Sequence, residues 1–316
     1  MEEIIKVENL TKDYGHGRGI FNISLSVGKG EVFGFLGPNG AGKSTTIRHI
    51  MGFSKPQSGS VKVFGMNSFK NYYKILDNVG YLPGEIALPE GLTGWEFIRM
   101  MGKLRGAKSD ERLNYLLKKF EFDPKMETKK MSLGDKRKLA IVTAFMNDPD
   151  VLILDEPTSG LDPVMQQVFV DFIKEEKKRN KTIFLSSHIF NEVEDTCDRI
   201  AIIKDGFIVS MFETNKIKHN ENKRYFVKFE KSSDYESIKK QLPKLKNTDS
   251  EFKKPAVLSF DNKQLEMVVA VNDKNINELV EVLSSKKVQS FYEIKFTLED
   301  YFMRFYKEDK DFGGVF

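Results

Sequence analysis

Residues 31–50 read EVFGFLGPNGAGKSTTIRHI. The apolar run EVFGFLG (31–37) predicts a buried strand that ends in a glycine-rich turn, and KSTTIRHIMGF (43–53) predicts a helix. Between them Gly37-Pro38-Asn39-Gly40-Ala41-Gly42-Lys43-Ser44 fits the pattern G-x-x-x-x-G-K-[ST]. Successive backbone N–H groups must turn inward to hold phosphate oxygens, and side chains there would block the approach. The helix that starts at Lys43-Ser44-Thr45 adds the positive end of its dipole. Lys43 has the reach for terminal phosphates, and the Ser44 hydroxyl is a ligand for Mg²⁺. A strand before the turn and a helix after it are the context this motif needs, so the chain is expected to bind a nucleotide.

A second signal is VLILDEP (151–157). Its apolar run puts Asp155 at the end of a buried strand, where it can hold Mg²⁺ directly or through water. Glu156 then projects toward the terminal phosphate, where a carboxylate can orient and polarise a water. TIFLSS (182–187) and RIAIIKDG (199–206) are further strands, with helices after Pro163 and over 189–198. Strand alternating with helix implies a parallel sheet covered by helices. A stretch from about Thr93 to Asn147 reads as helical throughout, with WEFIRMMGKL, DERLNYLLKKF and DKRKLAIVTAFM carrying apolar residues three and four apart.

The polar run TNKIKHNENK lacks apolar periodicity, and residues 215–223 are expected to be a linker. Beyond it the order β-α-β-β-α-β predicts a small α+β, ferredoxin-like unit over 224–316. The aromatics of its last helix, Tyr301, Phe302, Phe305 and Tyr306, suit packing or a dimer face.

Composition narrows the function. The 50 basic and 46 acidic residues nearly balance, which argues against a dedicated nucleic-acid binder. One cysteine, Cys197, leaves no intrachain disulfide and no cysteine zinc site. The acidic, alternating start MEEIIKVENLTKDYG is unlike a signal peptide. No apolar run approaches the ~18 residues of a membrane span, so work at a membrane requires a partner that supplies the span.

Together the motifs resemble those of ABC ATPases. MSLGDKRKL (131–139) is similar to the L-S-G-G-Q signature, SGLD (159–162) to the D-loop, SSH (186–188) to the switch histidine, and Tyr14 to the aromatic that stacks on adenine. The resemblance covers residues 1 to about 212. It implies a P-loop ABC-type nucleotide-binding domain over 1–214, with a helical subdomain at about 86–147. It further implies ATP and Mg²⁺ as ligands and a head-to-tail pair of ATPase subunits. Each ATP would lie between one subunit's Gly37–Thr45 loop and the other's Ser132, Leu133, Gly134 and Asp135. His188 would contact the terminal phosphate and Asp162 would act across the dimer, although Asp162 before Pro163 is also a good helix N-cap.

The lone cassette, the YLPGE segment and the ending FTLEDYFMRFY resemble bacterial exporters of antibiotics, bacteriocins and other peptides, phenol-soluble-modulin-like peptides among them. These carry the ATPase separately from its permease. That implies a cytoplasmic protein, peripheral on the inner face of the membrane, with an integral-membrane permease, a second ATPase subunit and no nucleic acid as partners. A regulatory or non-transport ABC ATPase is the alternative.

The chain departs from the family in three places. Leu133 replaces a glycine and Asp135 a glutamine of the signature. In VGYLPGEIALPEGLTG (79–94) the glutamine of the Q-loop falls at Gly84, which leaves Glu85 as the nearest candidate to reach Mg²⁺. Glycines and prolines break that loop, yet its leucines, isoleucine and tyrosine are unusually apolar for one, as suits a docked hinge.

Overall fold

The computed structural model describes residues 2–106, 110–215, 222–242, 255–294 and 297–307. It separates into two units, Met1–Thr214 and Asn215–Phe316.

In the first unit, β1 (Glu3–Gly15) and β2 (Arg18–Gly28) form an antiparallel hairpin. Alternate residues, among them Ile5, Val7, Ile23 and Val27, face the core. β3 (Val32–Leu36) follows, buried along its whole length, and then α1 (Lys43–Ile50). β4 (Ser58–Val63) and β5 (Met66–Asn67) complete an antiparallel sheet in the order β2-β1-β4-β5. A short α2 (Tyr72–Leu76) leads to β6 (Val79–Leu82). The helical stretch comprises α3 (Gly94–Arg105), α4 (Asp110–Lys119) and α5 (Leu133–Phe145). Thereafter β7 (Val151–Asp155), α6 (Pro163–Lys178), β8 (Thr182–Ser187), α7 (Phe190–Thr196), β9 (Arg199–Lys204) and β10 (Phe207–Glu213) alternate much as the sequence predicts.

These strands form a second sheet in the order β10-β9-β3-β8-β7-β6. β9, β3, β8, β7 and β6 run parallel, and β10 adds an antiparallel edge. One face of this sheet shares a core with α1 and the antiparallel sheet, through Phe33, Phe35, Ile153 and Phe184; a sheet covered on both faces has apolar runs rather than alternation, as in β3, β7 and β8. Cys197 ends α7, buried against Gly34 of β3, where a side chain in place of the glycine would clash with its sulfur. Burial pushes its thiol up to about 12, so it is chemically inert.

The middle stretch is less continuous than the sequence predicts. Gly106 closes α3 at φ 67°, a left-handed cap. Between α4 and α5 there is only a 3₁₀ turn, Thr128–Lys130. The helices nonetheless dock firmly. Thr93 and Glu96 form a capping box at the start of α3. Phe120, Phe145, Phe169 and Phe172 are fully buried, with Phe145 and Phe172 centroids 4.8 Å apart and nearly edge-on. This cluster joins α5 and α6 to the end of α4.

The second unit carries β11 (Asn222–Phe229), α8 (Ser232–Gln241), β12 (Ala256–Asp261), β13 (Glu266–Asn272), α9 (Ile276–Ser284), β14 (Val288–Ile294) and α10 (Leu298–Lys307). The antiparallel sheet order is β12-β13-β11-β14. Val227, Phe229, Val269 and Val271 pack under Tyr235, Ile238, Leu279 and Leu283 of the two helices. β11 begins at Asn222, two residues inside the segment expected to be a linker. In α10, Phe302 is buried and Tyr301 half-buried. The side chains of Phe305 and Tyr306 lie outside the described residues.

Phe172→Ala should remove about 3–5 kcal/mol of stability in denaturant unfolding, because it empties the middle of the aromatic cluster. A loss under ~1 kcal/mol would contradict that role. A second test uses Glu192 on α7. It accepts a 2.5 Å hydrogen bond from Ser187 at the end of β8. Burial, reinforced by the charge of Glu156, pushes its carboxyl up to about 7 despite that bond. Between its unfolded value, near the ordinary 4.5, and about 7, the folded protein holds a proton that the unfolded chain has released. This group therefore lowers stability as pH rises through that window. Glu192→Gln should gain stability relative to wild type between pH ~5 and ~7, and a pH-independent difference would contradict the buried carboxyl.

Candidate active site

The Gly37–Thr45 turn joins β3 to α1 at the carboxyl ends of the parallel strands. The Gly37 N–H bonds the Ser187 carbonyl at the end of β8. Gly42 has φ 110° and packs so closely on Ile20 that a Cβ would lie 2.6 Å from its methyl, so both conformation and space require glycine there. Pro38 is half-buried and Asn39 and Gly40 are exposed at the rim, with Ala41 buried behind them. The Lys43 ammonium turns back into the loop, donating to the Gly37 carbonyl at 2.6 Å and to that of Pro38 at 3.0 Å. Ser44 is exposed at the head of α1, beside half-buried Thr45.

Asp155 ends β7 and is buried. It accepts a 2.5 Å hydrogen bond from the Ser186 hydroxyl on the neighbouring strand. Glu156 follows in a left-handed conformation, φ 50°, which is unfavourable for a residue with a side chain. Its N–H is held by the Ser186 carbonyl at 3.0 Å. The turn redirects its carboxylate: one oxygen is 3.0 Å from Lys43 Nζ and the other 2.6 Å from His188 Nδ1. The cradle lysine, the strand-end glutamate and the half-exposed histidine thus form one line. Each was legible in the sequence, but their direct contact was not.

Ser44, in the first turn of α1, and Asp155, at the end of β7, are hard oxygen donors, of the kind that Mg²⁺ takes together with phosphate oxygens and water. Glu85 does not join them. It is exposed, and among the described residues it has no hydrogen bond or ion pair with the site. Gly84 does approach: a Cβ there would lie 3.1 Å from Asp155 Oδ2.

Ser132 caps α5 in a capping box. The Asp135 N–H donates to the Ser132 hydroxyl at 3.1 Å, and the Asp135 carboxylate accepts from both that hydroxyl, at 2.6 Å, and the Ser132 N–H. The charge of Asp135 therefore serves the helix start. Leu133 is 61% exposed, yet it leans on Gly160, where a Cβ would meet it at 2.6 Å. Gly134 in turn lies close to the Gly160 carbonyl. Asp162 caps α6 through the N–H groups of Val164 and Met165, both at 3.0 Å. Tyr14 is exposed near the end of β1, with the Lys12 ammonium over its ring.

Sequence reading missed Glu192 and Arg137, and it gave Ser186 and Ser187 no role beyond the SSH motif. Arg137 had a signal: it lies four and eight residues before Ile141 and Phe145, on the buried face of α5.

A family model described as ABC transporter matches residues 20–159. Over 231 residues the chain is 37% identical to the bacitracin transport ATP-binding protein BcrA of Bacillus licheniformis, which spans 71% of this chain and 74% of that protein. Over 319 residues it is 30% identical to the uncharacterized ABC transporter ATP-binding protein YhcH of Bacillus subtilis (strain 168), covering 98% of each. A solved dimeric structure of the ATP-binding cassette MJ0796 in a post-hydrolysis state, bound to ADP and Pi, aligns with a TM-score of 0.60 at 26% identity. That alignment covers 66% of this chain and 98% of that one. On this similarity and on the strand-end cradle of Lys43, Asp155, Glu156 and His188, the chain belongs to the family of ABC transporter ATP-binding proteins and is an ABC ATPase.

Proposed function

We propose that this ATPase is the motor of a bacterial exporter, working under a separate membrane permease to expel an antibiotic or antimicrobial peptide. Similarity to a bacitracin transport protein over most of both chains supports the cargo class. No helix among the described residues is long and apolar enough to cross a membrane, which fits a subunit that docks on a permease from the cytoplasmic face.

The line Lys43–Glu156–His188 carries the mechanism. Backbone N–H groups of Gly37–Thr45 hold the phosphates, and Lys43 neutralises charge that develops on the terminal one. Glu156 orients and polarises the attacking water. His188, bonded to Glu156, fixes that carboxylate and faces the terminal phosphate. Ser44 and Asp155 would hold Mg²⁺, which would supply neutralisation of the phosphate charge. Tyr14 stacks on the adenine. Ser132, Leu133, Gly134 and Asp135 complete the site of a second subunit, and Asp162 carries the signal across the pair.

In an ATPase assay, Glu156→Gln should lower turnover by about 10²-fold or more while ATP binding persists; unchanged turnover would overturn the role of Glu156. The head-to-tail pairing has its own test. Lys43→Ala and Gly134→Asp chains should each be inactive alone. Mixed, they should recover up to about a quarter of wild-type turnover, because random pairing makes half the dimers mixed, each with one intact site. No recovery would contradict a site shared between subunits.

A further inference from the structure

Arg137 is the largest fully buried side chain among the described residues, with a relative exposure of 2%. It lies on α5, one turn after the Ser132 cap. Among the described residues no carboxylate is within ion-pair distance of it. Its guanidinium instead donates to three backbone carbonyls on two separate loops. Nη1 bonds Pro83 at 2.9 Å, Nη2 bonds Gly84 at 2.7 Å, and Nε bonds Ser159 at 2.9 Å. Only a planar fork with donors on two edges can bridge three acceptors set apart in this way.

Each arm leads to the site in one further step. Gly84 packs on Asp155. The Ser159 N–H bonds the Glu156 carbonyl at 3.2 Å, and Gly160 next to it supports Leu133 and Gly134. The charge is felt at the same place. Burial depresses the Arg137 guanidinium, and Asp155, Glu156 and Glu192 act against that depression. At position 84 the chain has no side chain that could respond to the occupied site. The glycine instead exposes a carbonyl to a cation that belongs to the helix of the phosphate-facing signature.

We propose that Arg137 is the positioning residue of this ATPase: it locks the 83–84 loop and the Ser159 turn to α5, so that Asp155, Glu156 and Ser132 take up their working geometry together. The proposal rests on the ATPase reading above. It makes α5 the element that senses the state of the nucleotide site, through main-chain contacts rather than a side chain on the loop.

The test uses the full-length protein with Mg-ATP. The sole tryptophan, half-buried Trp95, stands on α3 shortly after the 83–92 loop and serves as the fluorescence probe. Arg137→Gln should lower kcat by about tenfold or more, with KM for ATP changed less than about threefold. The ATP-induced change in Trp95 emission should be lost. Arg137→Lys keeps the charge but not the fork, and should fall between Gln and wild type in both readouts. It also serves if the glutamine variant folds poorly. A purely structural arginine would lower the melting temperature and leave kcat and the Trp95 response per folded molecule unchanged, and that result overturns the proposal. Absence of turnover in the wild-type protein would instead overturn the ATPase reading.

Discussion

The active site depends on one carboxylate held in an unfavourable place. Glu156 leaves the end of β7 at a positive φ, a conformation that costs about 1–3 kcal/mol for a residue with a side chain. The neighbouring strand holds it there through the Ser186 carbonyl. That turn sends the carboxylate away from the sheet to meet Lys43 on one side and His188 on the other. The parallel order β3-β8-β7 is what makes this possible, because it brings the cradle, the histidine and the glutamate to the same edge. Ligands in open α/β sheets bind at this carboxyl edge for the same reason.

Around that line the fold buries several ionisable groups. Asp155, Lys43, Arg137 and Glu192 are all buried, and each has different partners, with Glu192 Oε1 left without a hydrogen bond. Asp155 takes a hydroxyl, Lys43 takes main-chain carbonyls and a carboxylate, Arg137 takes three carbonyls, and Glu192 takes Ser187. Burying a charge without such partners would be costly. The departures from the family pattern fit the same economy of contacts. Asp135 is committed to the Ser132 cap, and the glycine at 84 makes room for the Asp155 carboxylate.

Much of this was legible in the sequence where a motif is contiguous. The strand-turn-helix around Gly37–Ser44 and the run VLILDE placed the phosphate cradle, Asp155 and Glu156, because local pattern and chemistry coincide there. The breaks within the middle stretch were less visible: an apolar period of three to four does not show where Gly106 or the 3₁₀ turn interrupts it. Glu85 shows the limit of reading by proximity in sequence. It adjoins the right position, but the turn points it to solvent. Arg137 was hidden for a related reason. Its three partners lie 22 to 54 residues away, and nothing in DKRKL separates it from its two lysine neighbours except the helical phase of residues that follow.

This strand edge hydrolyses ATP, and we propose that two chains complete its site. The most direct measurement is phosphate release by the purified wild-type protein with Mg-ATP over a wide range of protein concentration. Turnover per chain should rise with concentration and level off as subunits pair. Turnover per chain that is constant from the most dilute sample upward, where pairs dissociate, would contradict a shared site, and no phosphate release at any concentration would contradict the ATPase itself.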